Sequence, residues 1–321
     1  MANYTYPEVD TLKNKLGVRN SQELGRIQGQ LVAARVYELT LGHGPEGHFD
    51  AEHLKAIHEH LFQDVYEWAG HTRDEFVALS DGTVASEPDM KQAGLVFLAG
   101  HLIARTLDRL AIKLAEAEYL HGLPRDEFAS RAADIMAVLA AIHPFREGNG
   151  PTQRMFLNAL AAQAGHSLDF TVVSKERMLQ VSMAAVEHDN PALMRRLFNE
   201  ISDPSRVAAL RQAIELLEKG RFPWNDRYLA TAEPGQPVEL RMVGPVGDYF
   251  MGRTGTRILI GNMADLPSPH PQTHQTFVFI PAAPTENRGT STAPELPRTA
   301  PADDVSRLIV APAERTDGTA T

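Results

Sequence analysis

A base, an acid, two glycines and a cation lie within twelve residues, His143-Pro-Phe-Arg-Glu-Gly-Asn-Gly-Pro-Thr-Gln-Arg154. Histidine titrates near neutral pH, so His143 can act as a general base. Glu147 offers the hard oxygen ligands that a phosphate-bound Mg²⁺ needs. The Gly148–Gly150 turn lets backbone N–H groups approach an anion closely, and Arg154 can add a charge-assisted contact. The stretch therefore predicts a site that binds an anion and moves a proton.

Two helices must position this loop. The apolar segment Arg131 to Ile142 is rich in strong helix formers and predicts a buried helix, which Pro144 ends near His143. Helical spacing resumes at Pro151, a residue that suits the first helical position. The free N–H groups and positive dipole end of that second helix point at the glycine turn. Each residue taken singly also fits a plain corner between helices, with His143 as a cap and Glu147 in solvent. The string as a whole favours the anion site.

The string resembles the signature of Fic domains, His-x-Phe-x-(Asp/Glu)-Gly-Asn-Gly-Arg-x-x-Arg, at every specified position except Pro151, where the signature has arginine. The family reaction moves AMP from ATP to a Ser, Thr or Tyr hydroxyl of a target protein and releases pyrophosphate. The resemblance therefore implies a protein adenylyltransferase that uses ATP and Mg²⁺. The roles it implies are a base at His143, a core anchor at Phe145, a Mg²⁺ ligand at Glu147, a phosphate-binding turn at Gly148, Asn149 and Gly150, and a γ-phosphate contact at Arg154.

Proline at position 151 removes a guanidinium that supports the triphosphate in the family, and it also lacks a backbone N–H. Loss of one phosphate-stabilising donor lowers a rate by about 10²–10³. The sequence thus leaves two functions open: a weakened AMP transferase, or a catalytically inactive scaffold that binds nucleotide or a partner protein. A kinase-like transfer of the γ-phosphate is disfavoured, because that branch commonly has lysine where Gly150 stands.

The chain of 321 residues is acidic, with 31 Lys and Arg against 41 Asp and Glu and a formal net charge of −10. An acidic chain is a poor general nucleic-acid binder, so no nucleic-acid partner is expected. The chain has no cysteine, which excludes disulfides and thiolate metal sites. No run approaches the roughly 18–20 apolar residues of a membrane span, and the first residues lack the basic and apolar segments of a signal peptide.

Helical patterns account for most of the chain up to about residue 220. Asn20 and Asp50 mark the starts of the first two helices. The second helix carries His53, His58 and His60, which share no metal-binding spacing, so we expect them on a solvated helix face. Further helices are predicted from Pro88 to Leu120 and at residues 174–190, 191–201 and 205–219.

A hairpin is predicted just before the long helix. Two short strand-like runs lie between Phe76 and Ala85 and flank Asp81-Gly82, which is a strong hairpin signal. This pattern is also typical of an ordinary surface hairpin. The resemblance implies the flap of Fic domains, here about residues 73–87, whose edge holds a target segment by strand addition and presents its hydroxyl to His143. The implied docking residues are Val77, Ala78, Leu79, Ser80, Asp81, Gly82 and Thr83.

The composition changes after about residue 220. Residues 221–281 contain Pro, Gly and four short β-prone runs, which predict a small antiparallel, OB-like sheet or barrel. We expect an interaction or structural role for it, because it has no clear basic stripe for nucleic acid. Residues 282–321 predict a flexible tail or linker. The predicted fold is mainly α: an all-helical Fic domain over residues 1–220 with a β-hairpin flap, followed by the small β domain.

The order of helical domain, β domain and polar linker resembles the N-terminal part of the Bartonella effector proteins, and the segment Asp64 to Arg73 matches one that precedes the flap in Fic proteins. Those effectors are injected into host cells by type IV secretion. The resemblance implies a protein of the bacterial cytoplasm, which is either translocated into a host cell or not delivered in that way. Fic domains are often inhibited by a (Ser/Thr)-x-x-x-Glu-(Gly/Asn) helix. Glu46, Glu147 and Glu286 precede Gly or Asn, but none has Ser or Thr four positions earlier. We therefore expect a small antitoxin-like inhibitor supplied in trans.

Overall fold

A computed structural model of the protein describes residues 3–92, 95–187 and 190–282. Within these residues there are eight α-helices: α1 (Ser21–Thr40), α2 (Ala51–Phe62), α3 (Ile103–Glu116), α4 (Arg125–Ile142), α5 (Asn149–Gln163), α6 (Lys175–Glu187), α7 (Ala192–Ile201) and α8 (Pro204–Lys219). The same described ranges contain nine strands: β1 (Val77–Ala78), β2 (Val84–Ala85), β3 (Lys91–Gln92), β4 (Leu95–Val96), β5 (Leu229–Thr231), β6 (Val238–Val246), β7 (Tyr249–Thr254), β8 (Arg257–Asn262) and β9 (Thr276–Phe279). No helix among the described residues combines the length and apolarity needed to cross a membrane.

Helix α4 is the centre of the helical part, and the His143 loop begins where it ends. Apolar residues lie on every side of α4, so α3, α5, α6 and α7 can all pack against it. A buried carboxylate needs a charged partner, and Asp134 of α4 has one in Arg195 of α7, with two N–O distances of 2.7 and 3.0 Å. These contacts fix the helix end from which the loop starts.

The predicted starts of the first two helices are confirmed. Asn20 Oδ1 accepts the Glu23 N–H at 2.9 Å, and Asp50 Oδ1 accepts the His53 N–H at 2.8 Å. Each bond satisfies an N–H group that the first helical turn leaves without a partner. Asp203 caps α8 in the same way. Capping is a local interaction, which is why the sequence reveals it.

The helix predicted from Pro88 to Leu120 is wrong in its first half. The chain instead forms the short hairpin of β3 and β4, and α3 begins only at Ile103. Leu98 shows the reason, because its N–H donates to the Ala141 carbonyl at 3.1 Å and its carbonyl accepts from the Arg73 guanidinium. Contacts with the end of α4 and with a buried cation thus replace local helical hydrogen bonds.

The five strands after α8 form one sheet in the order β5-β8-β7-β6-β9. Four of them pair antiparallel near the predicted positions, so a small β unit after a mainly helical part is confirmed. Strand β5 is not predicted from the sequence, and it pairs with β8 in parallel, so the sheet is mixed rather than antiparallel. All three residues of β5 are buried, so the strand lacks the polar–apolar alternation that marks a strand in a sequence.

The sheet shares a hydrophobic core with the helices. Met251 and Ile260 belong to the same buried apolar cluster as the helical part. Phe250 and Phe279 lie in a smaller cluster within the β unit, with their rings edge to face at 4.8 Å. The sheet is therefore packed against the helices and also has a small core of its own. The predicted tail, residues 282–321, lies outside the described residues from residue 283 onward.

Candidate functional site

The loop between α4 and α5 turns at His143. The backbone of His143 is left-handed, with φ 47°, and its N–H donates to the Leu139 carbonyl at 3.0 Å. Pro144 disfavours the helical conformation in the residue before it, which ends the helix at the predicted place. A left-handed residue other than glycine is strained by about 1–2 kcal/mol. The surrounding contacts must therefore hold the turn.

A buried cation, Arg73, holds the turn. Its Nε donates to the His143 carbonyl at 3.0 Å, and its backbone N–H donates to the Pro144 carbonyl at 2.8 Å. The same guanidinium donates to the carbonyls of Glu87, at 3.2 Å, and Pro88. Because Arg73 and Glu87 bound the hairpin, one side chain joins both ends of the hairpin to His143. Sequence reasoning missed this role, because Arg73 is 70 positions from His143 and outside the signature.

Phe145 and Asn149 close the loop. The Phe145 ring is 1% exposed and stacks on His58 with centroids 3.9 Å apart. Asn149 Oδ1 accepts the Phe145 N–H at 2.9 Å, and Asn149 Nδ2 donates to the Phe145 carbonyl at 2.7 Å. The Asn149 side chain is thus used within the loop. What Asn149 can offer a ligand is its backbone N–H.

His58 of α2 lies beneath the loop, and the expected solvated histidine face is wrong. Its Nδ1 accepts the Gly70 N–H at 2.8 Å, and its Nε2 donates to the Glu147 carbonyl at 3.0 Å. This pattern requires the neutral ring, and burial lowers the pKa of His58 to about 3. His53 is buried as well. Both histidines lie four residues from apolar positions of α2, so they share its buried face.

Helix α5 begins at Asn149, two residues before the predicted start at Pro151. Gly148 precedes it with φ 85°, and a Cβ there would lie 2.4 Å from the Phe62 ring, so the turn requires glycine. The first helical hydrogen bond of α5 returns to the Gly148 carbonyl at 3.2 Å. The N–H groups of Asn149 and Gly150 therefore have no helical partners, whereas Pro151 in the same turn has no N–H.

Arg154 lies one turn into α5, partly buried, and forms no hydrogen bond or ion pair with any residue in the described part of the chain. Its guanidinium lies over the first turn, since a Cβ on Gly150 would be 3.3 Å from Arg154 Nη1. Burial lowers the pKa of Arg154, and no carboxylate among the described residues offsets this effect. An unpaired cation beside free N–H groups at a helix N-terminus is a site for an anion.

The imidazole of His143 stacks on Phe97, with ring centroids 3.9 Å apart. Burial, followed by the positive charges of Arg73 and Arg146, lowers the pKa of His143 to about 4. The ring is therefore neutral at pH 7 and can accept a proton. Arg146 itself pairs with Glu87 at 2.6 Å, which is a second link between the loop and the hairpin.

Glu147 carries the carboxylate of the loop, and its backbone is fixed by the bond from His58. Across residues 3–92, 95–187 and 190–282, no group of three or more acidic or histidine side chains could hold a metal ion. A lone carboxylate nevertheless fits Mg²⁺, which binds through one or two carboxylates and completes its shell with phosphate oxygens and water. The loop therefore fits Mg²⁺ that arrives with a phosphorylated ligand.

The predicted hairpin is confirmed as the antiparallel pair β1 and β2. Its turn is bound to the rest of the protein, with Lys13 Nζ 2.8 Å from the Asp81 carboxylate. The Ser80 hydroxyl and N–H both donate to the Glu67 carboxylate at 2.7 Å. Among the strands in the described residues, β1 pairs with β2 alone, which leaves its second edge open.

The fold and the loop define a class: a helical protein whose central helix ends in a glycine-containing loop beside a β-hairpin. A sequence profile of the Fic/DOC family matches residues 48–161. A protein adenylyltransferase of Bartonella henselae is 36% identical over 266 residues, which are 82% of this chain and 49% of that relative. The chain thus spans about half the length of this curated relative.

Solved structures agree with the profile. The type IV secretion system effector protein BepA superposes with a TM-score of 0.81 at 34% identity, over 87% of this chain and 96% of that one. BepC of Bartonella tribocorum, solved with bound AMPPNP, gives a TM-score of 0.60 at 38% identity, over 63% of this chain and 97% of that one. The chain belongs to the Fic/DOC family. The predicted family and the predicted mainly helical fold are both confirmed.

Proposed function

We propose that the protein transfers AMP from ATP to a Ser, Thr or Tyr hydroxyl of a target protein. The observation that carries the proposal is the unpaired, partly buried Arg154 guanidinium beside the free first-turn N–H groups of α5. A triphosphate is the kind of ligand that neutralises both at once. The neutral His143 imidazole of the same loop supplies the base. The name of the B. henselae relative and the AMPPNP bound to BepC support this assignment.

In the proposed reaction the target hydroxyl gives its proton to the His143 imidazole while its oxygen attacks the α-phosphorus. A bond forms between this oxygen and the α-phosphorus, the bond from that phosphorus to the bridging α–β oxygen breaks, and pyrophosphate leaves. The backbone N–H groups of Gly148, Asn149 and Gly150 offset phosphate charge, and Arg154 holds the γ-phosphate. Positioning and charge stabilisation supply most of the rate.

Glu147 is the proposed Mg²⁺ ligand. The bound ion would offset negative charge on the phosphates and on the departing pyrophosphate. The protein's own contribution is to hold the Glu147 backbone through the His58 hydrogen bond at 3.0 Å. This bond connects α2 with the loop, and the bond from the Gly70 N–H to His58 Nδ1 connects α2 with the segment before the flap.

Pro151 is expected to slow this reaction and to leave the nucleotide site in place. It lies in the first turn of α5, where the family signature has arginine, so it offers neither a guanidinium nor an N–H. The loss of one such donor corresponds to about 10²–10³ in rate. Arg154 and the N–H groups before Pro151 remain available for binding.

The target segment is proposed to pair with the open edge of β1, within the flap of residues 77–83. Backbone pairing accounts for the affinity, and the alternate side chains of the segment account for selectivity. Because Asp81 is paired with Lys13 and Ser80 with Glu67, the tip offers little unpaired charge. Phe76 at the start of the hairpin is 83% exposed and offers an apolar contact.

The remaining proposals concern organisation and partners. Residues 1–220 form the catalytic unit and residues 221–281 a β unit with a structural or interaction role. A small antitoxin-like protein that covers Arg154 is the proposed inhibitor, because the chain lacks the inhibitory helix motif in cis. The similarity to BepA, a type IV secretion system effector, supports synthesis in a bacterial cytoplasm followed by translocation into a host cell.

The test uses ATP labelled at the α-phosphate, Mg²⁺, and lysates of host cells and of bacteria. The wild-type chain, His143→Ala and Pro151→Arg are compared. Label transferred to protein by the wild type and lost in His143→Ala is the expected result. Transfer by Pro151→Arg alone would identify the wild type as an inactive scaffold with an intact site. No transfer by any of the three, together with no calorimetric binding of AMPPNP, would contradict the proposal.

A further inference from the structure

A second basic cavity lies between the helices and the β sheet. Its volume is about 320 Å³, and its walls come from α6, α7, α8 and strands β5 to β8. Four arginines line it: Arg177, Arg196, Arg206 and Arg257. None of its lining residues belongs to the His143–Arg154 loop or to the flap. The cavity is therefore separate from the proposed AMP transfer site.

Two of the arginines share one buried carboxylate. Arg177 of α6 donates to Glu200, and Arg206 Nη2 of α8 is 3.6 Å from the other Glu200 oxygen. Glu200 also accepts the Thr231 N–H and hydroxyl, so its oxygens are occupied. One carboxylate cannot neutralise two guanidinium groups. This triad therefore has an excess of one positive charge.

The other two arginines, Arg196 and Arg257, together add one more uncompensated positive charge. Arg196 forms an ion pair with Glu233 at 3.0 Å and is neutralised. Arg257 makes no ion pair with any residue in the described ranges, and its guanidinium lies over the Tyr228 ring at 4.6 Å. Four arginines against two glutamates leave the cavity with an excess of two positive charges.

One of the lining arginines carries an unsatisfied donor. Arg177 is 3% exposed, yet its Nε has no hydrogen-bond partner among the residues that the structure describes. Its guanidinium lies 5.5 Å from the Tyr228 ring, on which Arg257 also lies. A buried charged donor without a partner is unfavourable, so an anion that accepted from it would be stabilised.

We propose that this cavity binds a small phosphate monoester. A phosphate monoester carries about −1.5 to −2 charge at pH 7, which matches the excess of two positive charges. Guanidinium groups bind phosphate oxygens with paired hydrogen bonds. A volume of about 320 Å³ is at the lower end for small-molecule sites, so the body of the ligand is compact. This inference does not rest on the AMP transferase activity.

The experiment titrates inorganic phosphate, glycerol 3-phosphate and glucose 6-phosphate into the full chain by calorimetry. The Arg154→Gln background removes the main phosphate contact of the loop, so the remaining binding reports on the cavity. Arg257→Gln is added to this background because Arg257 is exposed and forms no ion pair within the described part of the chain, so the fold should survive. Arg253→Gln is the matched control: Arg253 is exposed on β7 but lies outside the cavity lining.

We expect saturable binding of at least one monoester in the Arg154→Gln chain, weakened about tenfold or more by Arg257→Gln and unchanged by Arg253→Gln. Bound ligand should also raise the unfolding temperature of the chain. Equal affinities with and without Arg257→Gln would overturn the proposal. Absence of saturable binding by all three probes up to about 10 mM would overturn it as well.

Discussion

Two groups of residues meet at the His143 loop: a supporting layer that contains Arg73 and His58, and a second layer that contains Arg154 and His143. They differ in whether their polar groups have hydrogen-bond partners. Beneath the loop, Arg73 donates to several carbonyls and both ring nitrogens of His58 have partners. Above the loop, Arg154 has no partner among the described residues, and the His143 ring stacks on Phe97 without a hydrogen bond to its nitrogens from those residues. The cation is buried in the lower layer and partly buried in the upper one, and each layer contains a histidine of lowered pKa.

Residues that support the loop differ from residues of the proposed site in whether their polar groups have hydrogen-bond partners, and not in residue type. A buried polar group with its partners in place stabilises the fold, whereas one without partners is unfavourable until a ligand supplies them. Arg73 and His58 are therefore positioning residues. Arg154 and His143 are the residues that we propose for the ligand.

The largest expected effect is on the transfer reaction. His143→Ala should lower AMP transfer by about 10²–10⁴, the usual contribution of a general base, and should leave the free energy of unfolding nearly unchanged. Transfer of α-labelled phosphate and urea unfolding measure the two quantities. A transfer rate equal to wild type would remove His143 from the reaction.

Arg73→Met should chiefly lower the free energy of unfolding, whereas His143→Ala should chiefly lower the rate of AMP transfer. Removing the cation leaves its carbonyl acceptors buried without a donor, and we expect a loss of about 3–5 kcal/mol in the free energy of unfolding. Arg105→Met, at an exposed position of α3, is the control and should stay within about 0.5 kcal/mol of wild type. Equal stabilities of the two variants would contradict the role given to Arg73.

Two glycine-to-alanine variants separate the cost of a strained backbone from the cost of too little space for a Cβ atom. Gly148 and Gly165 both have positive φ, at 85° and 80°, but a Cβ meets the Phe62 ring only at Gly148. Gly165→Ala should lower the free energy of unfolding by about 1–2 kcal/mol, because alanine is strained in the left-handed conformation. Gly148→Ala should lower it by about 1–3 kcal/mol more, because the added methyl group overpacks the site. Urea unfolding measures both losses. Similar losses in both variants would mean that the loop yields to the added methyl group.

The smallest expected effect is a pH dependence of stability. The pKa of His58 is about 3 in the folded protein, against about 6.5 in the unfolded chain, so below pH 6.5 the unfolded chain binds the additional proton. The free energy of unfolding should therefore fall with pH below 6.5, by at most about 1.4 kcal/mol per pH unit from this residue. Burial lowers the pKa of His143 and His53 too, which adds to the same trend. Urea unfolding of wild type and His58→Phe between pH 7 and pH 5 should give a flatter slope for the variant.

The structural features that could be predicted from the sequence are those that depend on contacts between residues close together in the chain. The caps at Asn20 and Asp50, the end of α4 at Pro144 and the hairpin at Asp81-Gly82 all depend on contacts within a few positions. The signature loop is equally local, so its residues could be named in advance. The start of α5 was misplaced by only two residues, which is a common uncertainty at helix ends.

The failures all involve contacts between distant parts of the chain. The helix predicted from Pro88 is replaced by a hairpin because Leu98 bonds to Ala141 and Arg73. Strand β5 exists because it pairs with β8, and no alternation marks it. His58 was assigned to solvent because its partners, Gly70 and Glu147, are 12 and 89 positions away. No pattern in one sequence reveals such partners.

The most direct test of the comparison between the layers is the affinity for AMPPNP in the presence of Mg²⁺, measured by calorimetry. Wild type, Arg154→Gln and the exposed control Arg105→Gln are compared, with urea unfolding of each. We predict that Arg154→Gln binds about tenfold to a hundredfold more weakly while its free energy of unfolding is unchanged or higher, because a partly buried cation without a partner is removed. Wild-type affinity in Arg154→Gln, or a marked loss of its stability, would place Arg154 in the supporting layer and contradict the account.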